Sequence, residues 1–372
     1  MVGRNASVDG SVMTSHTCDS WYRTWMSIEP ARDYPRDTIT SIHEGLMHTE
    51  HSQDQTGVKE RGTIPQARHT YRFLNTAYPC LNERQLAMGE TTISGRDTLQ
   101  NKDGLFVIEE LQRIALERCS TARQAIRLMG QLVRDYGYGD SGECLTIADQ
   151  QEVWIFEIFG EGPKKKGGVW AAQRIPDDEV AVSANISRIG RLDLQDTDHF
   201  MASDNVFTVA RQLGLWDGHE EFSFWKAYSG GNYFDEPKNY SVRELFIMQQ
   251  LAPDAKFSDE MGELPLSVKP KEKLSVKTVS NLLASYYEGT ELSLASRIDS
   301  LSRGSGDVKI KGGRPMQSNP WMRPDEIRRY AGLLNDSTMA NIRTVSVSWC
   351  AYSTVIQLRS WMPDAIGGVC WI

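Results

Sequence analysis

The sequence predicts an α+β protein built in layers around antiparallel sheets, not one wound from β-α-β units. Three observations carry that expectation. Stretches of period-two alternation come as neighbouring pairs joined by short polar turns. Stretches with apolar residues at i, i+3, i+4 and i+7 come in separate blocks, and the two kinds do not alternate regularly. The 372 residues are 40% hydrophobic, enough for a sizeable core in one large domain. No apolar run approaches the ~20 residues of a membrane helix, so no membrane partner is expected. A net charge of -8 argues against nucleic acid.

The first element expected is a hairpin. Val2–Ala6 reads as a strand, Val8-Asp9-Gly10 as a turn, and Val12–Thr17 as the returning strand. Residues 28–67 read as irregular, rich in charge and turn formers. The stretch HTYRFLNTAYPCLNERQLAMGETTISGR alternates enough for strands, with a sharp bend at Tyr78-Pro79. Two amphipathic helices follow in GLFVIEELQRIALERC and TARQAIRLMGQLVRDYG, the second with Thr121 as N-cap and Gly137 as its stop. The period then changes. CLTIADQQEVWIFEIFG predicts two strands about Asp149–Gln151, and GGVWAAQRIPDDEVAVSANISRIG two more about Pro176–Asp178. Helical spacing returns in NVFTVARQLGLW, YSVRELFIMQQLA and SVKTVSNLLASYYEG. A Gly- and Lys-rich loop is expected over Gly304–Arg314, a strand pair in RTVSVSWCAYSTVIQLRSWM, and a last strand in GGVCWI.

Several motifs resemble chemistry by letter only. The six cysteines are scattered without a C-x-x-C pair, so no zinc ribbon or thioredoxin motif is expected. His43, His48 and His51 miss the H-E-x-x-H spacing and read as surface histidines, so no metal is expected, and no cofactor. Gly139-Asp140-Ser141-Gly142 copies a serine-protease tetrapeptide, but it follows a helix directly and reads as a helix-to-strand turn. Cys18 with His16 as its base is weak, because residues i and i+2 of a strand share a face without converging on one atom.

The polar end of the second strand, His16-Thr17-Cys18-Asp19, stands out. With a turn near Asp9, antiparallel pairing sets Asp19 opposite a position just ahead of Met1, at about 5 Å between Cα atoms. The chain there resembles the dipeptidase A/secernin-like family of N-terminal-nucleophile hydrolases. The likeness runs nearly end to end. It is carried by VGRNASVDGSVMTSHTCDS, TIPQARHTYRFLNTAYPCLNERQLAMGETT, YGYGDSGECLTIAD, EVWIFEIFGEGP, VAVSANISRIG, FWKAYSGG, YYEGT and QLRSWMPDAIGGV.

The resemblance implies one catalytic domain over residues 1–372, a four-layer αββα sandwich. It implies hydrolysis of dipeptides or small amides by an N-terminal cysteine, and it allows a homo-oligomer. In the family that cysteine stands a few residues ahead of VGR. The sequence is therefore expected to lack the nucleophile segment and, since it stops within the apolar GGVCWI, its C-terminal end as well. The compartment is left open between cytoplasm and export. Asp19 matches the position that orients the nucleophile's α-amine, and His16 stands in the substrate site where relatives often carry Arg. Asn82 resembles the Asn of the MNE motif in the bile-salt hydrolase and penicillin acylase group, and Asn185 that group's second Asn, both implied oxyanion donors. An Asn at a strand end also simply closes turns. Arg243 is a candidate for a later active-site arginine, although it falls in a helical pattern. The alternative function is a noncatalytic protein that keeps the fold and binds in its pocket.

Overall fold

A computed structural model describes the chain except residues 164, 230–237, 259, 291, 294–323 and 335–342. The loop expected over Gly304–Arg314 lies outside the described residues.

In chain order the first strands are β1 (Val12–Asp19), β2 (Ser27–Glu29), β3 (Arg32–Asp33), β4 (Ile39–Glu44), β5 (Lys59–Pro65), β6 (His69–Thr70), β7 (Phe73–Asn75), β8 (Leu81–Asn82) and β9 (Ala87–Thr92). Helices α1 (Ile108–Arg118) and α2 (Ala122–Tyr136) precede β10 (Glu143–Ala148), β11 (Val153–Gly160), β12 (Gly168–Ile175), β13 (Val180–Ala181) and β14 (Phe200–Ala202). Then come α3 (Val206–Gln212), α4 (Phe224–Tyr228), α5 (Val242–Leu251), β15 (Ser267–Val268), α6 (Val276–Leu283), β16 (Cys350–Leu358) and β17 (Gly368–Trp371).

Eight strands form the large sheet in the order β14-β12-β11-β10-β9-β8-β7-β2, and β1-β16-β17 form a smaller one. All the pairings are antiparallel. Val2 bridges Met13 on one side and Val180 on the other, so the pair β13–β15 continues the small sheet through the N-terminal segment. The two sheets stack face to face. Val12, Ile356 and Leu358 from one meet Ala87, Cys144 and Ile155 from the other in a common core. Thr14 and Thr146 share a hydroxyl hydrogen bond of 2.5 Å across the gap. Gly89 lets the sheets come this close: a Cβ there would stand 2.9 Å from Thr146 Oγ1 and 3.2 Å from the Ser15 carbonyl.

Helices cover both outer faces. Ala122, Ile126, Met129 and Val133 of α2 pack with Trp154, Phe156 and Trp170 of the large sheet. Leu245 and Met248 of α5 and Val279 of α6 pack with Met13 and Val355 of the small one. The order is helix, sheet, sheet, helix, the α+β architecture expected. Both helix caps anticipated for α2 are present: the Thr121 side chain accepts from Gln124 N–H, and Gly137 ends the helix at φ +89°.

Four local expectations are corrected. The first hairpin has no continuous outgoing strand, because Arg4–Ala6 turns and only Val2 bridges β1. Residues 28–67 hold the hairpin β4–β5, whose polar outer face hides the alternation. The segment after Pro176–Asp178 does not return along β12. It crosses to the small sheet as β13, and β14 pairs with β12 instead. RTVSVSWCAYSTVIQLRSWM holds one strand, β16, preceded by irregular chain.

Candidate active site

A cavity of about 360 Å³ lies beside β1 and β9, one strand from each sheet. Met1, the β1 residues Ser15–Asp19, Glu90–Thr92 of β9 and the Ala181–Asn185 segment line it, together with Arg243, Arg343 and Trp349. The volume suits a small ligand.

Three residues expected from the sequence meet there: His16, Asp19 and Asn185. Asp19 ends β1 and pairs with the Arg343 guanidinium, both about a quarter exposed. Burial lowers the Arg343 pKa, while Asp19 opposes that shift. The register differs from the expectation. Val2 opposite Met13 centres the turn between Ser7 and Val8, so Asp19 lies about three residues farther along the strand than a turn at Asp9 would put it.

His16 is buried, with its Nε2 3.7 Å from Glu90 Oε2 and its ring edge-on to Tyr78. Glu90 in turn acts on the buried Glu143 carboxyl. Burial pushes Glu143 well above the carboxylate range, with the Glu90 charge adding to the shift. Burial works the same way on Glu90, but the influence of His16 and Glu143 outweighs it and holds Glu90 below its ordinary value. His16 therefore faces a carboxylate as well as the cavity.

Asn185 follows β13 with its backbone at φ +62°, a left-handed conformation that Asn tolerates better than most residues. Its amide is oriented by its partners. Oδ1 accepts from both Nη atoms of Arg243 at 3.1 Å, and Nδ2 donates to the Thr92 carbonyl at 2.8 Å. The amide nitrogen thus keeps a second hydrogen for a ligand. Arg243 reaches Asn185 because it starts α5. Ser241 and Glu244 form a capping box, which sets the first turn of the helix against the loop. Arg243 is 9% exposed, also donates to the Ala184 carbonyl at 2.9 Å, and its buried Nε is unpartnered.

The fourth expected residue, Asn82, lies outside the cavity. Its Nδ2 donates to the carbonyls of Leu116 and Cys119 at 2.8 Å each, and its Oδ1 accepts from Arg84 and Leu86 N–H at 3.0 Å each. With four bonds made, the amide ties the β8–β9 turn to the end of α1 and has no capacity left for an oxyanion. Cys18 lines the cavity, but burial drives its thiol far above the ordinary range, which disfavours the thiolate a nucleophile needs. Ser141 lies in the turn between α2 and β10, away from the cavity.

Sequence reading missed Glu90 and Arg343. Glu90 carried a signal, a carboxylate inside an otherwise apolar strand in AMGET, whereas Arg343 sits in irregular chain with no pattern to flag it. Among the described residues, no group of three His, Cys, Asp or Glu side chains is arranged to hold a metal ion. No described helix is long and apolar enough to cross a membrane.

The sequence is similar over its full length to a probable dipeptidase of Latilactobacillus sakei, at 27% identity, covering 70% of that protein. A probable dipeptidase of Salmonella dublin matches 54% of the chain at 32% identity, covering 46% of its own length. A dipeptidase of Bifidobacterium longum matches the whole chain at 23% identity, covering 67% of its length. Among solved structures, penicillin V acylase from Agrobacterium tumefaciens aligns with 45% of the chain and 47% of its own, at 14% identity and a TM-score of 0.25. The family model of peptidase family C69 matches residues 1–372, and the chain belongs to that family.

Proposed function

We propose that the protein is a dipeptidase that hydrolyses dipeptides or related small amides through an N-terminal cysteine ahead of Met1, with Asp19 and Asn185 as its partners. The observation that carries this reading is the meeting of Asp19, Asn185 and Arg243 around one small cavity in a chain of family C69. The segment at Met1 and Val2 runs between β1 and Ala181 in the small sheet. Followed backward along β1, its direction leads toward Cys18 and Asp19.

The chemistry needs few groups. An α-amine titrates near 8 and a thiol near 8.5, so one N-terminal cysteine forms an ammonium–thiolate pair close to neutral pH. The thiolate attacks the amide carbon, and the ammonium returns its proton to the leaving amine. The Asp19 carboxylate favours the charged amine and fixes its direction. The free hydrogen of Asn185 Nδ2 meets the developing oxyanion. Asp19 and Glu90 beside Arg243 and Arg343 give the cavity both signs of charge, as a zwitterionic dipeptide requires.

The test is Asp19→Asn in the full-length enzyme, assayed on unblocked dipeptides. Mass spectrometry first establishes that the variant still carries a processed cysteine. The substitution keeps the shape and removes the charge, so kcat falls by roughly 10²–10⁴ while KM changes less. Wild-type kcat in a correctly processed variant overturns the role of Asp19. Parent turnover at the no-enzyme level favours a binding protein instead.

A further inference from the structure

Behind the Asn185 loop lies a carboxylate that the reaction described above does not use. Glu157 stands in the middle of β11, fully buried, opposite Cys144 of β10 and Ala171 of β12. A carboxylate there is costly unless it is hydrogen-bonded. Its partners all come from one short segment. The Ser187 hydroxyl donates to Oε2 at 2.5 Å, the Arg188 N–H donates to Oε1, and the Ile189 N–H reaches the carboxylate at 3.4 Å. Every partner is a donor. The set fits the ionised group, which only accepts, better than the acid, which brings a hydrogen of its own.

That segment begins two residues after Asn185. The other end of the loop is held from α5, where Glu244 accepts from Ala184 N–H at 2.7 Å and Arg243 binds the Ala184 carbonyl. Asn185 stands between the two anchors in its left-handed conformation, which costs energy and persists only where the surroundings impose it. Glu157 does not line the cavity.

We infer that Glu157 is a positioning residue for turnover: its carboxylate tethers Ser187–Ile189 and so fixes the Asn185 amide where the oxyanion forms. This rests on the oxyanion role proposed for Asn185 above.

The groups that face Glu157 are the Cys144 thiol, the Arg188 guanidinium and, beyond it, Glu244. Arg188 gives its Nη atoms to the Asn239 and Pro265 carbonyls, so it does not form a direct pair with Glu157. Burial raises Glu157 to about 7, against the lowering effect of Ser187, Arg188 and Ile189. The folded value lies above the ordinary 4.5, so this group's contribution to stability is full below that value and is lost as pH rises through about 7. Turnover runs the other way, because the tether needs the ion. Between about pH 5 and pH 8 one group moves stability down and kcat up.

Glu157→Gln in the processed full-length enzyme separates these effects. The ratio of parent to variant kcat cancels the titration of the nucleophile. It is expected near one at low pH, rising by tenfold or more above the Glu157 midpoint, toward the roughly 10²-fold cost of misplacing a catalytic group. KM stays within about twofold, since uniform binding is untouched. The Arg188 and Ile189 amides lose hydrogen-exchange protection in the variant above neutrality. Glu157→Asp, which keeps the charge, restores part of the ratio. If Glu157→Gln does not fold, Ser187→Ala carries the test by removing one tether, with kcat lowered and KM kept. A ratio near one at every pH, or unchanged amide protection, overturns the inference. The exchange measurement reads the tether without catalysis, so its failure is distinct from a parent enzyme that fails to cleave dipeptides.

Discussion

Two asparagines at strand ends, Asn82 and Asn185, carry the same sequence signal and serve different parts of the molecule. The β8–β9 turn around Asn82 is closed by backbone groups of its own and of the end of α1. Both ends of the amide bind backbone, and the left-handed residue of the turn is Gln85, three residues on, at φ +61°. In the Ala184–Ile189 loop, Asn185 itself takes the left-handed backbone, and its amide oxygen is held by the Arg243 guanidinium. The difference lies in who the partners are. Backbone groups on every side use up the Asn82 amide's capacity, whereas Asn185 gives its nitrogen one acceptor only and so keeps a second N–H beside the cavity. Asn185 keeps a donor because its nitrogen meets only one carbonyl, that of Thr92, while the Arg243 guanidinium takes up its oxygen.

The sharpest way to break this contrast is Asn185→Gly. Glycine adopts φ +62° without strain, so the loop is expected to keep its conformation while the donor disappears. Loss of one oxyanion donor lowers kcat by about 10²–10³ with little change in KM, and the urea midpoint stays close to the parent's. Dipeptide kinetics within a few-fold of the parent would show that Asn185 is no donor. Arg243→Gln is the next smaller effect. It removes the cation that orients the amide, and kcat is expected to fall roughly tenfold, within the reach of a small misplacement. Combining the two gives the discriminating result. If Arg243 acts through Asn185, the double variant is no slower than Asn185→Gly alone. Losses that multiply would mean that Arg243 touches the substrate independently.

The layers were legible in the sequence because apolar runs and their spacing separate helices from strands. α2 follows from a run whose apolar spacing matches the face it buries, with Thr121 and Gly137 marking its ends, whereas β10 and β11 are buried on both faces and follow from apolar runs about a polar turn. What stayed hidden depended on contacts distant in sequence. Nothing near Val180 says that β13 leaves the β12 hairpin for the small sheet, since a two-residue strand has no period. Arg243 is a candidate active-site arginine that its helical pattern counts against, although Ser241-x-x-Glu244 is a capping signature that locates it in the first turn, where side chains reach a neighbouring loop. Arg343 meets Asp19 across 324 positions, and local sequence contains no trace of that pairing. The family resemblance supplied Asp19 and Asn185 but could not separate Asn185 from Asn82, because both stand in matching motifs and only their partners differ.

Asn82→Ala is the variant with the least expected effect on turnover and a clear effect on stability. The substitution strips the donor from the Leu116 and Cys119 carbonyls, which end α1, and the acceptor from the Arg84 and Leu86 N–H groups. Asn82 is 4% exposed, so water does not readily replace it at these groups. Each buried group left unpaired costs about 1–3 kcal/mol. Relaxation of the turn recovers part of that, and a net loss of at least about 2 kcal/mol is expected as a lower urea midpoint at an unchanged slope. Asn82 does not line the cavity, so kcat and KM of the folded fraction should match the parent within about twofold. The opposite pattern, a large fall in kcat with the midpoint unchanged, would return Asn82 to the oxyanion role that its motif suggested. It would also mean that the β8–β9 turn rearranges when substrate binds, since no hydrogen of its amide is free in the arrangement described here.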